Sequence, residues 1–217
     1  MDAGTARILF VPVSGPRGAG EYARVLAVAT EVARRWPGSG IHFVVSSAAP
    51  YANSVPFPAT LVPSSPTYHS REVAETIARF RPTLTIFDNA GRTEQLRSAQ
   101  RAGSRIVYVS SRLRQRRKAF RLRWMRMLDE HWIAYPAIAA GALGPLERCK
   151  LQLLGRPVLR FLDAMLPPYD AGRAHATLAG FGLSPDRFVL VVPGGGTANH
   201  GAEGALEIVA EAAARIA

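Results

Sequence analysis

The sequence has little cysteine, no long apolar run and no leader pattern, and each absence excludes a class of protein. Cys149 is the single cysteine among 217 residues, so no disulfide can form within the chain. No run of about 18 apolar residues occurs, which excludes a membrane-spanning helix. A basic stretch followed by an apolar one is missing at the N-terminus, so we predict no signal peptide and a cytoplasmic protein.

Sequence patterns for metal binding and for two common catalytic loops are absent as well. The five histidines are scattered, and none pairs with another histidine, a cysteine or an acid at the spacing of metal ligands. Neither a Gly-x-Ser-x-Gly elbow nor a phosphate loop ending in Gly-Lys-Ser/Thr is present. We therefore expect no bound metal.

Positive charge is present in excess. Lys and Arg number 27 against 16 Asp and Glu, which gives a formal net charge of +11. This balance favours anionic partners, namely phosphates, an anionic membrane surface or nucleic acid, although a GC-rich genome would also raise the arginine content. Apolar residues make up 48% of the chain, enough for a sizeable core, so we expect a folded protein.

Short apolar runs alternate with amphipathic stretches along the first part of the chain. Patterns of buried strands occur at 8–13, 41–46, 83–87, 105–109 and 131–135. Alternation of strand and helix is typical of right-handed βαβ units. We therefore predict an α/β fold, a Rossmann-like doubly wound parallel sheet.

A second unit is predicted after the proline pair at 167 and 168. We place a first, Rossmann-like domain at 1–167, a linker and entry helix at 168–186, and the first strand, loop and helix of an incomplete domain at 187–217. One strand and one helix cannot close a core. We therefore expect either that the chain is cut at this point or that another polypeptide supplies the rest.

The loop of this second unit is the strongest phosphate signal in the sequence. It follows a buried-strand pattern at 187–192 and precedes a helical one. Backbone amides of such a loop, together with a helix N-terminus, bind a diphosphate without a basic side chain. The residues predicted to hold a donor diphosphate are Gly194, Gly195, Gly196, Thr197 and His200.

A first glycine loop lies between the first strand and the first helix. Ligands of open parallel sheets bind at the carboxyl ends of the strands, so Gly18 and Gly20 would let a ligand approach and Arg17 would add positive charge. A plain tight turn is the alternative. Pro16 interrupts the dinucleotide fingerprint, and Asn53 is not the acidic ribose partner, which disfavours a nicotinamide cofactor.

Two carboxylates are candidates for catalysis. Glu21 lies at the start of the first helix. Its carboxylate is either a first-turn acid stabilised by the helix dipole or a general base that faces the crevice. Asp88 ends a strand and starts a loop that contains Arg92, where it either forms the turn or acts in the site. We predict that Glu21 or Asp88 assists deprotonation and that Arg92 binds an anion.

A basic amphipathic helix is predicted at 112–128. Its charged face is either solvated or holds phosphates or lipid headgroups, and nucleic acid is the least favoured partner. Its apolar stripe fits packing on the sheet better than insertion into a membrane. The candidate anion-binding residues in this segment are Arg116, Arg117, Lys118 and Arg121.

Two glycine loops, each after a buried strand and separated by the proline pair, resemble the arrangement of GT-B glycosyltransferases. The likeness is strongest to the N-acetylglucosaminyltransferases that make the peptidoglycan lipid precursor. It is carried by Gly18-Ala19-Gly20-Glu21-Tyr22 leading to Leu26-Ala27-Val28-Ala29, and by 182–186 leading to the second glycine loop. Glu21 stands where that family has a histidine, and the acid that would hold the donor ribose would lie beyond Ala217.

The resemblance implies that the N-terminal half binds an acceptor and the C-terminal half a nucleotide sugar. It implies sugar transfer without a metal or other cofactor, on an acceptor saccharide or a lipid-linked acceptor at the inner face of the membrane. Two alternatives remain. One is a non-catalytic membrane-docking or acceptor-binding subunit that pairs with a separate donor-domain chain, and the other is a sugar-nucleotide epimerase.

Overall fold

The computed structural model describes residues 6–16, 19–134, 142–162, 165, 170–185, 187–188, 211–212 and 214–215. The chain divides into two compact units, 1–167 and 168–217. The strands are β1 Arg7–Pro12, β2 Gly40–Ser46, β3 Ala59–Val62, β4 Leu84–Asp88, β5 Arg105–Ser110, β6 Glu130–Ile133 and β7 Val158–Phe161. The helices are α1 Gly20–Arg35, α2 Ser70–Phe80, α3 Thr93–Arg101, α4 Leu113–Ala119, α5 Leu122–Met125, α6 Pro145–Leu154 and α7 Ala171–Gly180.

All seven strands form one parallel sheet in the order β3-β2-β1-β4-β5-β6-β7. The order reverses between β1 and β4, because β1 pairs with β2 on one side and with β4 on the other. This topology confirms the predicted α/β class and the Rossmann-like parallel sheet. It also adds β7, an edge strand that the sequence pattern did not reveal because most of its side chains are exposed.

Helices cover both faces of the sheet, and the strand residues alternate between two apolar layers. Leu9 and Phe87 pack in the layer formed with α2, α3, α4 and α5. Phe10 and Val109 pack in the opposite layer, which α1 covers through Val25. The period of two along each strand therefore produces two cores from one sheet.

The basic segment differs from the single helix predicted at 112–128. It forms α4 and α5, separated where Arg121 adopts an extended backbone with ψ of 130°. The break lets Phe120 pack edge-on against His131, and Trp124 edge-on against Tyr108, at centroid distances of 5.5 and 5.2 Å. Packing of two aromatic rings into the core therefore overrides the continuous helical pattern.

The second unit begins near the predicted linker and contains α7, within the segment predicted as an entry helix. The donor-loop residues Gly194, Gly195, Gly196, Thr197 and His200 lie outside the described residues. The assignment of 187–217 to an incomplete nucleotide-sugar-binding domain remains a prediction.

His131 is a buried titratable group in the core of the first unit. Its Nε2 pairs with the Ser110 hydroxyl at 2.9 Å, and its Nδ1 has no hydrogen-bond partner among the described residues. Burial, together with the charge of Arg116, lowers the pKa of His131 to about 3. The imidazole is therefore neutral in the folded protein.

We expect His131 to make the protein less stable as the pH falls from 6.5 towards 3, because the unfolded chain binds a proton that the folded chain does not. The slope for one proton is about 1.4 kcal/mol per pH unit. Urea unfolding of His131→Gln at pH 7, 6 and 5 should show a shallower decline than the parent. His175→Gln, at an exposed position of α7, is the matched control. Equal slopes in parent and His131→Gln would contradict this prediction.

Candidate functional site

The carboxyl ends of β1, β4 and β5 meet at the point where the strand order reverses. Ligands of open α/β sheets bind in the crevice outside this point. The three strand ends are joined by backbone hydrogen bonds, from Val13 N to Asp88 O and from Asn89 N to Val109 O, both 2.9 Å long. The loops that leave these strands therefore start side by side.

Asn89 ties these three loops together with one side chain. Its Nδ2 donates to Glu21 Oε1 at 3.0 Å and to the Ser111 hydroxyl, while its Oδ1 accepts from Ser111 N at 3.0 Å. The backbone of Asn89 is left-handed, with φ of 52°, a conformation that asparagine tolerates better than most residues. The turn after β4 thus fixes the first turn of α1 and the loop after β5.

Glu21 is the carboxylate that faces this network. Its side chain is 18% exposed, and Arg112 Nη2 lies 3.8 Å from the same Oε1 that Asn89 contacts. Within the described part of the chain, Oε2 accepts no hydrogen bond. One oxygen is therefore held in place while the other is available to take a proton.

Asp88 is the last residue of β4, at the strand end where the sequence placed it. Its side chain is fully buried, and Arg24 Nε and Nη2 donate to its two oxygens at 2.7 and 2.6 Å. Burial raises the pKa of Asp88 to about 6, against the hydrogen bonds and charge of Arg24, which lower it. Asp88 therefore positions α1 against β4, and a role in proton abstraction would require this pair to open.

Two tyrosines pack beside the end of β1. The rings of Tyr22 and Tyr51 stack with a centroid separation of 3.8 Å. The hydroxyl of Tyr51 is buried, and burial raises its pKa to about 12. The hydroxyl therefore stays protonated. Ser14 Oγ accepts from Ser46 N at 2.7 Å, which joins the ends of β1 and β2.

Arg92 is exposed beside a polar groove of about 450 Å³. Its Nε donates to Thr67 O at 3.2 Å, and its guanidinium carbon lies 5.5 Å from the centre of the Tyr68 ring. The groove is lined by Thr67, Tyr68, Ser70, Arg92, Thr93, Glu94 and Arg123. Arg92 therefore has the setting of an anion-binding residue, and that role remains a prediction.

Lys118 lies on α4, with its amine directed at the loop after β4. Its Nζ donates to Gly91 O at 2.7 Å and lies 4.3 Å from the centre of the Trp124 ring. Burial, together with the charges of Arg92, Arg121 and Arg114, lowers its pKa to about 8. Lys118 is thus a half-buried cation among other cations.

The other candidate anion-binding residues differ in exposure. Arg116 is 3% exposed, and its guanidinium pairs with Glu147 at 2.6 Å, so it lies inside the fold rather than on the predicted charged face. Arg117 and Arg121 are exposed. A Cβ added at Gly20 would meet no atom within 4 Å, so the space around it is open.

The remaining predicted loop residues, Arg17 and Gly18, lie outside the described residues. Within the described part, no three His, Cys, Asp or Glu side chains gather in a way that could hold a metal ion. None of the described helices is long and apolar enough to cross a bilayer.

A groove of about 530 Å³ runs between α2 and α3. Its lining includes Ile77, Arg81 and Arg101, from the C-terminal parts of these helices. In a parallel βα sheet this end lies away from the carboxyl ends of the strands. The polar groove beside Arg92 includes instead the first residues of α3, Thr93 and Glu94, which follow the loop after β4.

Sequence reasoning did not single out Arg24, Asn89 or Ser111 as site residues. Arg24 lies within the first helix, and its sequence context does not indicate that it pairs with Asp88, which is distant in sequence. Asn89 did carry a signal, since asparagine after a strand commonly adopts the left-handed conformation.

Comparison with known proteins gives partial likenesses only. No protein-family model and no curated protein matches this sequence. Several solved structures overlap with the fold, and three of them illustrate the range. The glycosyltransferase SnogD from Streptomyces nogalater is 15% identical over 48% of this chain and 33% of its own, with a TM-score of 0.32.

The E. coli ADP-heptose heptosyltransferase II is 15% identical over 83% of this chain and 52% of its own, with a TM-score of 0.40. The Bordetella bronchiseptica enzyme WbmG, solved in complex with NAD, is 14% identical over 97% and 79%, with a TM-score of 0.41. The chain thus spans about a third of SnogD and about half of the heptosyltransferase. At these scores the likenesses assign neither a family nor an activity to this chain.

Proposed function

We propose that this chain is the acceptor-binding part of a GT-B-like glycosyltransferase, with Glu21 as the general base. The proposal joins the sequence resemblance to the geometry at the switch point of the sheet. The observation that carries it is the network of Glu21, Asn89 and Ser111. It fixes a carboxylate at the carboxyl edge of the sheet, and among the described residues one of its oxygens accepts no hydrogen bond.

In the proposed reaction an acceptor hydroxyl attacks the anomeric carbon of a nucleotide sugar. The new bond joins the acceptor oxygen to that carbon, the bond from the carbon to the phosphate oxygen breaks, and the nucleoside diphosphate leaves. Glu21 Oε2 takes the hydroxyl proton, which a base must reach within about 3 Å. Asn89 and Arg112 hold the other oxygen.

The remaining predicted residues take supporting roles in this proposal. Arg92, Arg117, Lys118 and Arg121 hold acceptor phosphates, with Arg17, Gly18 and Gly20 at the first loop. The loop Gly194-Gly195-Gly196-Thr197, with His200, stabilises the departing diphosphate, because preorganised donors stabilise developing charge. Arg116 supports the surface indirectly through its pair with Glu147.

The exposed arginines also support a proposal that the acceptor is presented at an anionic membrane surface. Leu113 and Leu122 are 55% and 41% exposed beside Arg114, Arg117 and Arg121. A basic residue close to an anionic leaflet contributes about 1 kcal/mol to binding. This arrangement fits a lipid-linked acceptor better than nucleic acid.

The proposal is tested by incubating the protein with a panel of nucleotide sugars, with and without saccharide and lipid-linked acceptors. We expect release of the nucleoside diphosphate only when an acceptor is present. Conversion of the nucleotide sugar without any acceptor would contradict the transferase proposal and favour the epimerase alternative. If calorimetry shows that an acceptor binds but no donor releases its nucleoside diphosphate, the result would favour the non-catalytic subunit. Size-exclusion chromatography with a separate donor-domain chain would then identify its partner.

A further inference from the structure

The basic segment contains one amine among guanidiniums. Lys118 and Lys150 are the two lysines of the sequence, against 27 basic residues in total. Lysine is the basic side chain that can lose its proton near neutral pH and act as a nucleophile, whereas arginine stays protonated. The chemistry available at position 118 therefore differs from that of its arginine neighbours.

The surroundings hold the Lys118 amine in one place. Gly91 O accepts one N–H at 2.7 Å, and the Trp124 ring covers one side at 4.3 Å. No carboxylate forms an ion pair with Lys118 in the part of the chain that the structure describes. The amine is thus oriented and partly shielded from water, without a counter-charge to hold its proton.

Three guanidiniums, those of Arg92, Arg114 and Arg121, act on this amine. They disfavour its protonated form, as burial also does, so the pKa falls to about 8 and about half of the amine is neutral at pH 8. The same three charges attract an anion to the amine. Desolvation beside other cations is a known way to activate a lysine nucleophile.

We propose that Lys118 is a selective acylation site for acyl phosphates. The lone pair of the neutral amine forms a C–N bond to the acyl carbon, and the bond from that carbon to the phosphate oxygen breaks. The amine proton passes to the phosphate or to water, and the products are N-acyl-lysine and inorganic phosphate. The neighbouring guanidiniums hold the phosphate before and after it leaves. This chemistry does not depend on the proposed sugar transfer.

Acylation would remove one positive charge from the surface while leaving an N–H for Gly91 O. The site would then attract anions less strongly, because only the arginines would remain charged. An acyl phosphate, as an activated metabolite, could in this way reduce the affinity of the surface for phosphate-bearing ligands.

The test uses the folded protein and acetyl phosphate, with acetylation of each lysine followed by peptide mass spectrometry. Lys150 is a close comparator, because its amine also donates to a backbone carbonyl, Phe120 O at 3.1 Å. We expect Lys118 to react faster by on the order of tenfold, because burial and the neighbouring guanidiniums lower the pKa of its amine and the same guanidiniums attract the phosphate of the reagent. Urea-unfolded protein should lose this preference. Equal rates at the two lysines in folded protein would overturn the proposal.

The donor class is tested with two further comparisons. A neutral acetyl N-hydroxysuccinimide ester should show a weaker preference for Lys118 than acetyl phosphate does, because it carries no phosphate. Arg92→Gln should slow acetylation of Lys118 by acetyl phosphate, whereas Arg97→Gln, the same change at an exposed position of α3, should not. An equal preference with both reagents, or equal slowing by both substitutions, would overturn the assignment of acyl phosphates.

Discussion

Replacing Glu21 by glutamine should lower the rate of sugar transfer by about 10²- to 10⁴-fold, the usual contribution of a general base. The amide keeps an oxygen that can accept from Asn89 Nδ2, so the network that positions the side chain is preserved. It cannot take the proton of the acceptor hydroxyl. The loss should therefore appear in kcat, with KM for the acceptor little changed.

The measurement is a steady-state transfer assay with the donor and acceptor found by the panel. Glu75→Gln is the matched control, since Glu75 is an exposed acid of α2 that pairs with Arg71 on the surface. Surface pairs of this kind contribute at most about 1 kcal/mol to stability. A Glu21→Gln enzyme with an unchanged kcat would exclude Glu21 as the base and direct attention to the other groups at the strand ends.

Replacing Arg24 by methionine should destabilise the first unit by about 3–5 kcal/mol at pH 8. The substitution leaves Asp88 buried without its partner, and an uncompensated buried charge has a cost of this size. Arg24 also lowers the pKa of Asp88, so the pKa should rise further above 6 in the variant. Urea unfolding followed by circular dichroism measures the change.

The effect of Arg24→Met should depend on pH with a defined sign. An acid whose folded pKa is raised binds its proton more tightly in the folded state, so its cost is absent below the unfolded value and grows as the pH rises. The difference between Arg24→Met and the parent should therefore be smaller at pH 5 than at pH 8. The double variant Arg24→Met with Asp88→Asn should recover part of the loss, because it removes the buried charge. No recovery would mean that Arg24 stabilises α1 by packing alone.

Much of the fold could be predicted because apolar periodicity determines which residues enter a sheet. The runs at 8–13 and 105–109 are apolar enough to identify strands with both faces buried, and β1 and β5 occupy almost the same residues. The edge strand β7 carries no such signal. The break at Arg121 could not be predicted either, because it depends on where Phe120 and Trp124 find space in the core.

The start of α3 is a second place where the local sequence does not determine the contacts of a side chain. Thr93 has the residue type of an N-cap, yet it is the first residue of α3, and Gln95 Oε1 accepts from Arg92 N at 2.9 Å. Thr93 Oγ1 instead accepts from Trp124 Nε1 at 3.2 Å. A distant aromatic residue thus determines the partner of the hydroxyl, which the local pattern cannot reveal.

The candidate site could be located from sequence but not assembled. Placing Glu21 and Asp88 at strand ends follows from parallel βα order alone. The different environments of the two carboxylates could not be predicted from this order, because they depend on hydrogen bonds from Arg24 to Asp88 and from Asn89 to Glu21. Which carboxylate is buried and which faces the crevice therefore emerges only when α1 packs on the sheet.

β1 lies inside the sheet although it precedes the other six strands along the chain. One of its edges pairs with β2, and the other pairs with β4, which comes later in the chain and ends at Asp88. A nascent chain on the ribosome therefore displays unpaired amides and carbonyls along β1 until residue 88 has emerged. Such an edge can pair with a neighbouring chain on the same messenger RNA. Pairing with β4 closes this edge, so the centre of the sheet can form only after the chain has passed Asp88.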